Sequence, residues 1–228
     1  MSEDPKAREK SLKPGVLPYE KPELGRHFWV KDSVLANPVA VTRRCLAQDR
    51  WILGAPYKEE SWPGMRAPGA LLPDELAQVE AWVTTQLGVR ALLPPGDALS
   101  HNHVQLVGGG DSVARPHVDS RALCDLAGVL FLHPFPPTKH SGTSFFRLRL
   151  PDGTLDGNLC PPPHNGLEEA LGIKSVPVHA WVEEIEVTNV YNRLLVYRPD
   201  LVHSATSYFG SEHAHKRLTA VFFWKVAR

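Results

Sequence analysis

The stretch Arg115-Pro116-His117-Val118-Asp119-Ser120 sets the frame for the whole 228-residue chain. Alternate side chains of an extended backbone share a face, so as a strand it sends the His117 imidazole and the Asp119 carboxylate into one space. The surroundings are strand-like. Short β-rich runs fill the sequence beyond about residue 100: Val104 to Val107, Leu126 to His133, Thr143 to Leu148, Val178 to Val187, Asn192 to Arg198 and Leu218 to Val226. Turn signals separate them at Gly108-Gly109-Gly110-Asp111, Pro134 to Pro137, Pro151-Asp152-Gly153, Pro161-Pro162-Pro163 and Tyr208 to His215. Upstream, Pro73-Asp74-Glu75-Leu76 opens a helix that carries Leu76, Val79, Val83 and Leu87 at helical spacing and stops at Gly88. Trp62 to Gly69 holds four Pro or Gly in eight residues and reads as a rigid loop without regular structure, while Pro38 to Tyr57 reads as irregular. Residues 1–24 mix basic residues and four prolines without apolar periodicity, and are expected to form a loose arm. The pattern predicts a mainly β chain of the α+β class, a sandwich or small barrel beneath an N-terminal helical layer.

Composition narrows the partners. Twenty-five basic residues balance twenty-five acidic ones, which argues against a nucleic-acid partner, because phosphate binding needs a basic face. No stretch approaches the roughly 18 apolar residues of a membrane span, and Met1-Ser2-Glu3-Asp4-Pro5-Lys6 lacks the apolar core of a signal peptide, so a cytoplasmic setting is expected. The oligomeric state stays open. Cys45, Cys124 and Cys160 are odd in number and widely spaced, which fits buried, inert thiols better than a disulfide framework or a zinc site. A chain of this length buries enough surface without a metal staple, so any metal site is functional.

Two further features join His117 and Asp119. His203 follows 84 residues after Asp119 in Leu201-Val202-His203-Ser204, and Arg217-Leu218-Thr219 comes another 14 residues on. Two His and one carboxylate form the facial triad that leaves positions open on non-haem Fe(II). On one strand face, Arg217 offers a bidentate fork for a carboxylate and Thr219 a hydroxyl, a pair suited to a dicarboxylate. In this order and spacing the residues resemble the Fe(II)/2-oxoglutarate-dependent oxygenases built on a double-stranded β-helix, a jelly-roll or cupin-like barrel. The resemblance covers about residues 102–226. The run from Gln105-Leu106-Val107 to Pro116-His117-Val118-Asp119 is similar to that of prolyl hydroxylases, and Ser141-Gly142-Thr143-Ser144-Phe145-Phe146 is similar to the strand that follows it there. Trp62-Pro63-Gly64-Met65-Arg66-Ala67 and Asn192-Arg193-Leu194-Leu195-Val196-Tyr197 resemble a bacterial group within that superfamily.

The resemblance implies Fe(II) on His117, Asp119 and His203, with 2-oxoglutarate bound by Arg217, Thr219 and Gln105. It implies a single oxygenase domain over 25–228, with a helical layer at about 73–88 and a β-helix core at about 102–226, that hydroxylates a C–H bond of a small molecule. Retention of Asp119 favours hydroxylation over halogenation, since halogenating relatives lack this carboxylate. One departure stands out: prolyl hydroxylases place a 2-oxoglutarate-binding tyrosine a few residues after the Gln, and this chain has Gly108-Gly109. Two other readings remain open, a mononuclear iron oxidase that uses no 2-oxoglutarate and a non-catalytic β-barrel binding module in which His117 and Asp119 only bond to each other.

For the substrate, Arg66 and Arg121 suit the carboxylate of an amino acid or short peptide, and Asn192 could reach the pocket mouth. Lids are expected at Trp62 to Gly69, Phe135 to Ser141, Leu159 to Gly166 and Phe209 to Lys216. His101-Asn102-His103 lacks the acid of a cupin-like metal site, and His213-Ala214-His215 reads as a solvated loop.

Overall fold

The computed structural model describes residues 15–96, 100–173 and 176–227. In chain order the elements are β1 (Phe28–Lys31), α1 (Pro38–Leu46), β2 (Ile52–Leu53), β3 (Met65–Pro68), α2 (Pro73–Leu87), β4 (Leu92–Leu93), β5 (His103–Val107), β6 (Leu126–Phe131), β7 (Thr143–Leu148), α3 (Leu167–Leu171), β8 (Trp181–Val187), β9 (Leu194–Tyr197), β10 (His203–Ala205) and β11 (Arg217–Val226). The strands form two sheets. The larger runs β1-β9-β6-β11-β5-β3-β2, with β4 paired to the far end of β11, and the smaller runs β10-β7-β8. Every strand pair is antiparallel, and a two-residue bridge between His117 and His203 extends the smaller sheet.

The layers follow from the alternation of side chains along β11. Leu218, Ala220, Phe222 and Trp224 point outward from the larger sheet and meet Val79 and Val83 of α2 and Val41 and Cys45 of α1 in one apolar cluster. Val221 and Phe223 point inward and meet Phe145 of the smaller sheet in a second cluster, which also holds Cys124. A third cluster, with Leu148, Cys160, Trp181 and Leu167, covers the other side of the smaller sheet. The three thiols are free and buried, as the sequence predicts.

Helix α2 forms where its apolar spacing places it: the Glu75 carboxylate accepts the Leu72 N–H at 2.8 Å, and Gly88 ends it at a left-handed φ of 64°. Four expectations need correction. Pro38 to Tyr57 is not irregular, because Asn37 accepts the Ala40 N–H at 3.2 Å and Pro38 fills the first turn of α1, leaving Val41 and Cys45 to pack. Trp62 to Gly69 contains β3, because Pro63, Gly64 and Gly69 lie outside the strand and Pro68 closes it. Gly64 is needed there, since a Cβ on it would lie 2.2 Å from the Leu106 carbonyl oxygen. Val178–Ala180 is a 3-10 turn, so β8 starts only at Trp181. Residues 1–14 of the expected loose arm lie outside the described residues, but 15–24 is docked: the Asn158 and Leu159 N–H groups donate to Pro18 O, Leu17 is buried, and the Arg147 guanidinium stacks 3.7 Å from the Tyr19 ring.

Candidate metal centre and anion site

His117 and His203 exchange backbone hydrogen bonds of 2.9 Å in both directions, and the Asp119 N–H donates to Pro199 O at 2.9 Å. Those bonds bring three side chains from distant sequence together. His203 Nε2 is 3.4 Å from Asp119 Oδ2 and His117 Nε2 is 3.9 Å from Asp119 Oδ1, so one ligand atom from each residue falls within 4.8 Å of the others. Each imidazole is oriented by its own chain: His117 Nδ1 meets Arg115 O at 2.9 Å and His203 Nδ1 meets Leu201 O at 2.8 Å. An Nδ1–H donated to a carbonyl leaves the Nε2 lone pair for a metal, the outer-shell support such ligands require. Burial pulls the His203 imidazole down to about 4, so it is neutral and able to ligate at neutral pH. Tyr197 packs its ring 4.4 Å from that of His203. The His203 and Asp119 side chains are 4% and 10% exposed and that of His117 56%, so the cluster opens to solvent on the His117 side.

Beside the triad, the inward face of the larger sheet is polar in one place. Register sets Arg66 of β3, Gln105 of β5, Thr219 of β11 and Phe131 of β6 in one row, with Arg217 two residues before Thr219. Arg217 is 4% exposed, and it donates Nε to Ser141 O at 2.8 Å and Nη2 to Gly142 O at 3.0 Å. No carboxylate among the described residues pairs with it, and burial lowers its pKa. Thr219 Oγ1, Asp119 Oδ2 and Arg66 Nε are buried without hydrogen-bond partners. Arg66 stacks 4.4 Å from the Trp62 ring, and burial pulls it to about 10 against the opposing charge of Asp119. Gln105 Nε2 donates to Pro63 O at 3.2 Å.

The other expected residues lie elsewhere. The Asn192 amide is committed to the Leu35 backbone through two bonds of 2.9 Å, at a left-handed φ of 62° that Asn tolerates. Arg121 bonds Cys160 O and reaches Asp200 at 3.3 Å, and Arg198 holds the same carboxylate at 2.8 Å. These three line a separate cavity of about 490 Å³ with Cys124, Asp125, Pro199 and Lys225, which shares a wall with the triad through Pro199. His101 meets Phe223 O and the Asn102 amide holds Leu71, so neither joins the metal cluster. Sequence reading did not single out Tyr208, whose ring centroid is 5.9 Å from the Arg217 guanidinium carbon. Its only sequence signal is its place in the loop just before Arg217.

No protein-family model matches the chain, and no curated protein does. Solved structures do. The epimerase SnoN of nogalamycin biosynthesis, crystallised with Fe3+, α-ketoglutarate and nogalamycin RO, aligns with 87% of this chain and 78% of its own at 16% identity and a TM-score of 0.50. The carbocyclase SnoK of the same biosynthesis, also non-haem and α-ketoglutarate-dependent, aligns with 87% of this chain and 79% of its own at 9% identity and a TM-score of 0.51. The chain has the double-stranded β-helix fold of these proteins.

Proposed function

We propose that the chain is a non-haem Fe(II)- and 2-oxoglutarate-dependent dioxygenase, a single oxygenase domain that hydroxylates a C–H bond of a small molecule. Arg217 carries this reading. Burying a guanidinium without an anionic partner costs several kcal/mol, so a ligand with a carboxylate belongs beside it. The unpartnered Thr219 hydroxyl lies on the same sheet face, and in the triad Asp119 Oδ2 makes no hydrogen bond, with His203 Nε2 3.4 Å away. That donor set fits a hard divalent ion and a dicarboxylate together. His117, Asp119 and His203 would hold iron, and the metal with 2-oxoglutarate supplies the oxidising power for C–H cleavage. Arg217 and Thr219 would grip the far carboxylate, with Gln105 beside them in the row. The carbonyls of Arg115 and Leu201 keep both imidazoles in the ligating tautomer.

Arg66 is the candidate substrate anchor, since its guanidinium makes no hydrogen bond among the described residues and faces the carboxylate charge of Asp119. An amino acid or short peptide with a carboxylate suits it. Arg121 and Asn192, engaged with Asp200 and Leu35, are weaker candidates. A cytoplasmic enzyme with no nucleic-acid or membrane partner goes with this reading, and among the described residues no helix is long and apolar enough to cross a membrane.

Anaerobic titration of the Fe(II)-loaded protein with 2-oxoglutarate tests it. A metal-to-ligand charge-transfer band in the visible range is expected; a binding module, or an oxidase that does not use 2-oxoglutarate, gives none. Because SnoN and SnoK are an epimerase and a carbocyclase, turnover is best followed as succinate release, which does not depend on the fate of the substrate.

A further inference from the structure

Two glycines after β5 let a distant loop come close to the anion site. A Cβ on Gly108 would lie 2.9 Å from Gly210 O, and one on Gly109 would lie 3.4 Å from Phe209 Cα. The bare backbone accepts the loop, and the Gly109 N–H donates to Gly210 O at 2.9 Å. The loop is fixed from its other side as well. Phe209 is buried with its ring edge-on to His133 at 5.0 Å, its carbonyl accepts the Arg217 N–H at 3.3 Å, and Lys216 is tied to Asp111 and the Tyr57 hydroxyl at 2.9 Å each.

Tyr208 is carried by this clamp. Its side chain is half-buried 5.9 Å from the Arg217 guanidinium, and its hydroxyl has no hydrogen-bond partner among the described residues. The hydroxyl is not among the fully buried unpaired atoms, so in the free protein it is left to solvent and stays available to a ligand. Burial raises its pKa above the usual value while Arg217, Arg66 and Arg115 act against that, so the phenol keeps a proton to donate at neutral pH. The groups facing it are therefore cations, which cannot accept that proton. An anion held by Arg217 can.

We propose that the Tyr208 hydroxyl is a further binding group of the Arg217 site, donating a hydrogen bond to the far carboxylate of the cosubstrate. This rests on the reading of the preceding subsection, in which that cosubstrate is 2-oxoglutarate. The loop Tyr208 to Gly210 thus provides a donor that β5 and its following glycines do not.

The experiment is the anaerobic titration of Fe(II)-loaded wild type, Tyr208→Phe, Arg217→Lys and the double variant with 2-oxoglutarate, followed by the charge-transfer band. Loss of one hydrogen bond to a charged group should raise the Kd of Tyr208→Phe about tenfold, with the band at an unchanged position and the melting temperature preserved. The penalty should shrink in the Arg217→Lys background, because the carboxylate is then held in a different geometry. An unchanged Kd in Tyr208→Phe overturns the assignment, as does an equal penalty in both backgrounds, which marks a merely structural residue. If wild type gives no band, the underlying oxygenase reading falls and this assignment with it; if wild type gives one and Tyr208→Phe binds equally well, the assignment of Tyr208 alone falls.

Discussion

The two faces of β11 are buried alike and built differently. Residues 217–224 are all buried, yet the outward face is Leu218, Ala220, Phe222 and Trp224, whereas the inward face begins with Arg217 and Thr219 before turning apolar at Val221 and Phe223. On the outward face the one polar atom, Trp224 Nε1, has its partner in Glu80 at 2.9 Å. On the inward face Arg217 has no carboxylate among the described residues and Thr219 Oγ1 has no partner. A strand buried on both faces needs no polar side chains for the fold, and under the proposed function the guanidinium and hydroxyl on the inward face would receive the cosubstrate. The outward face is built for packing alone.

That division can be broken at several points, and the largest effect is expected at the triad. Asp119→Ala should weaken Fe(II) binding by more than the hundredfold that changes outside the ligand set already produce, with no charge-transfer band on adding 2-oxoglutarate. Retained metal affinity, measured by competition with a chelator, would remove Asp119 from the ligand set. Next comes the outward face: Phe222→Ala should lower unfolding stability by about 3 to 5 kcal/mol in urea, while the Kd for 2-oxoglutarate of the molecules still folded stays unchanged. A parallel loss of affinity would mean that the two faces are not separable.

Acid sharpens the comparison from inside the site. His203 is held at about 4 in the fold against 6.5 when exposed, so the unfolded chain binds more protons between those values. The contribution of His203 to the stability of the metal-free protein is therefore complete above pH 6.5 and falls as pH drops toward 4, by about 3 kcal/mol. His203→Gln should flatten that part of the pH profile of the melting temperature; an identical slope would assign the acid sensitivity elsewhere. Arg217→Ala should weaken 2-oxoglutarate binding by about one to two decades, and lysine should restore it only in part, since it lacks the planar fork. The smallest effect belongs to Thr219→Val, which removes an unsatisfied hydroxyl: metal-free stability should hold or rise slightly, while cosubstrate affinity drops by roughly 1 kcal/mol or less. A stability loss above that would show that the hydroxyl serves the fold.

What could be read from sequence divides along similar physical lines. The long inner strands were legible because their apolar runs are uninterrupted, and Thr143–Leu148 appears where its β-rich run predicts it. Helix α1 carried its start signal in Asn37-Pro38, but Arg43 and Arg44 obscured its apolar face. The density of Pro and Gly around β3 conceals the strand, because those residues lie at its ends. The triad and Arg217 could be recognised by order along the chain because His203 and Arg217 each begin a strand, whereas His117 and Asp119, expected on a strand, are held by an isolated bridge to His203 and a bond to Pro199 O. Asn192, Arg121 and Tyr208 could not be placed, because their surroundings depend on contacts with remote segments: Leu35 is 157 residues from Asn192, Asp200 is 79 from Arg121, and Gly109 is 99 from Tyr208.

The cysteines have a practical consequence. Each apolar cluster contains one thiol: Cys45 beneath the helices, Cys124 between the sheets and Cys160 behind the smaller sheet. All three are free and 2% exposed or less, and burial holds Cys45 up at about 12, so alkylation of Cys45 and Cys160 must wait for the surrounding cluster to open, while Cys124 also borders the cavity beside Arg121. The chain therefore carries two internal clocks. Mass spectrometry of the peptides labelled over time would time the opening of each of those compartments, without any engineered probe, and show whether the helical layer leaves before the barrel opens.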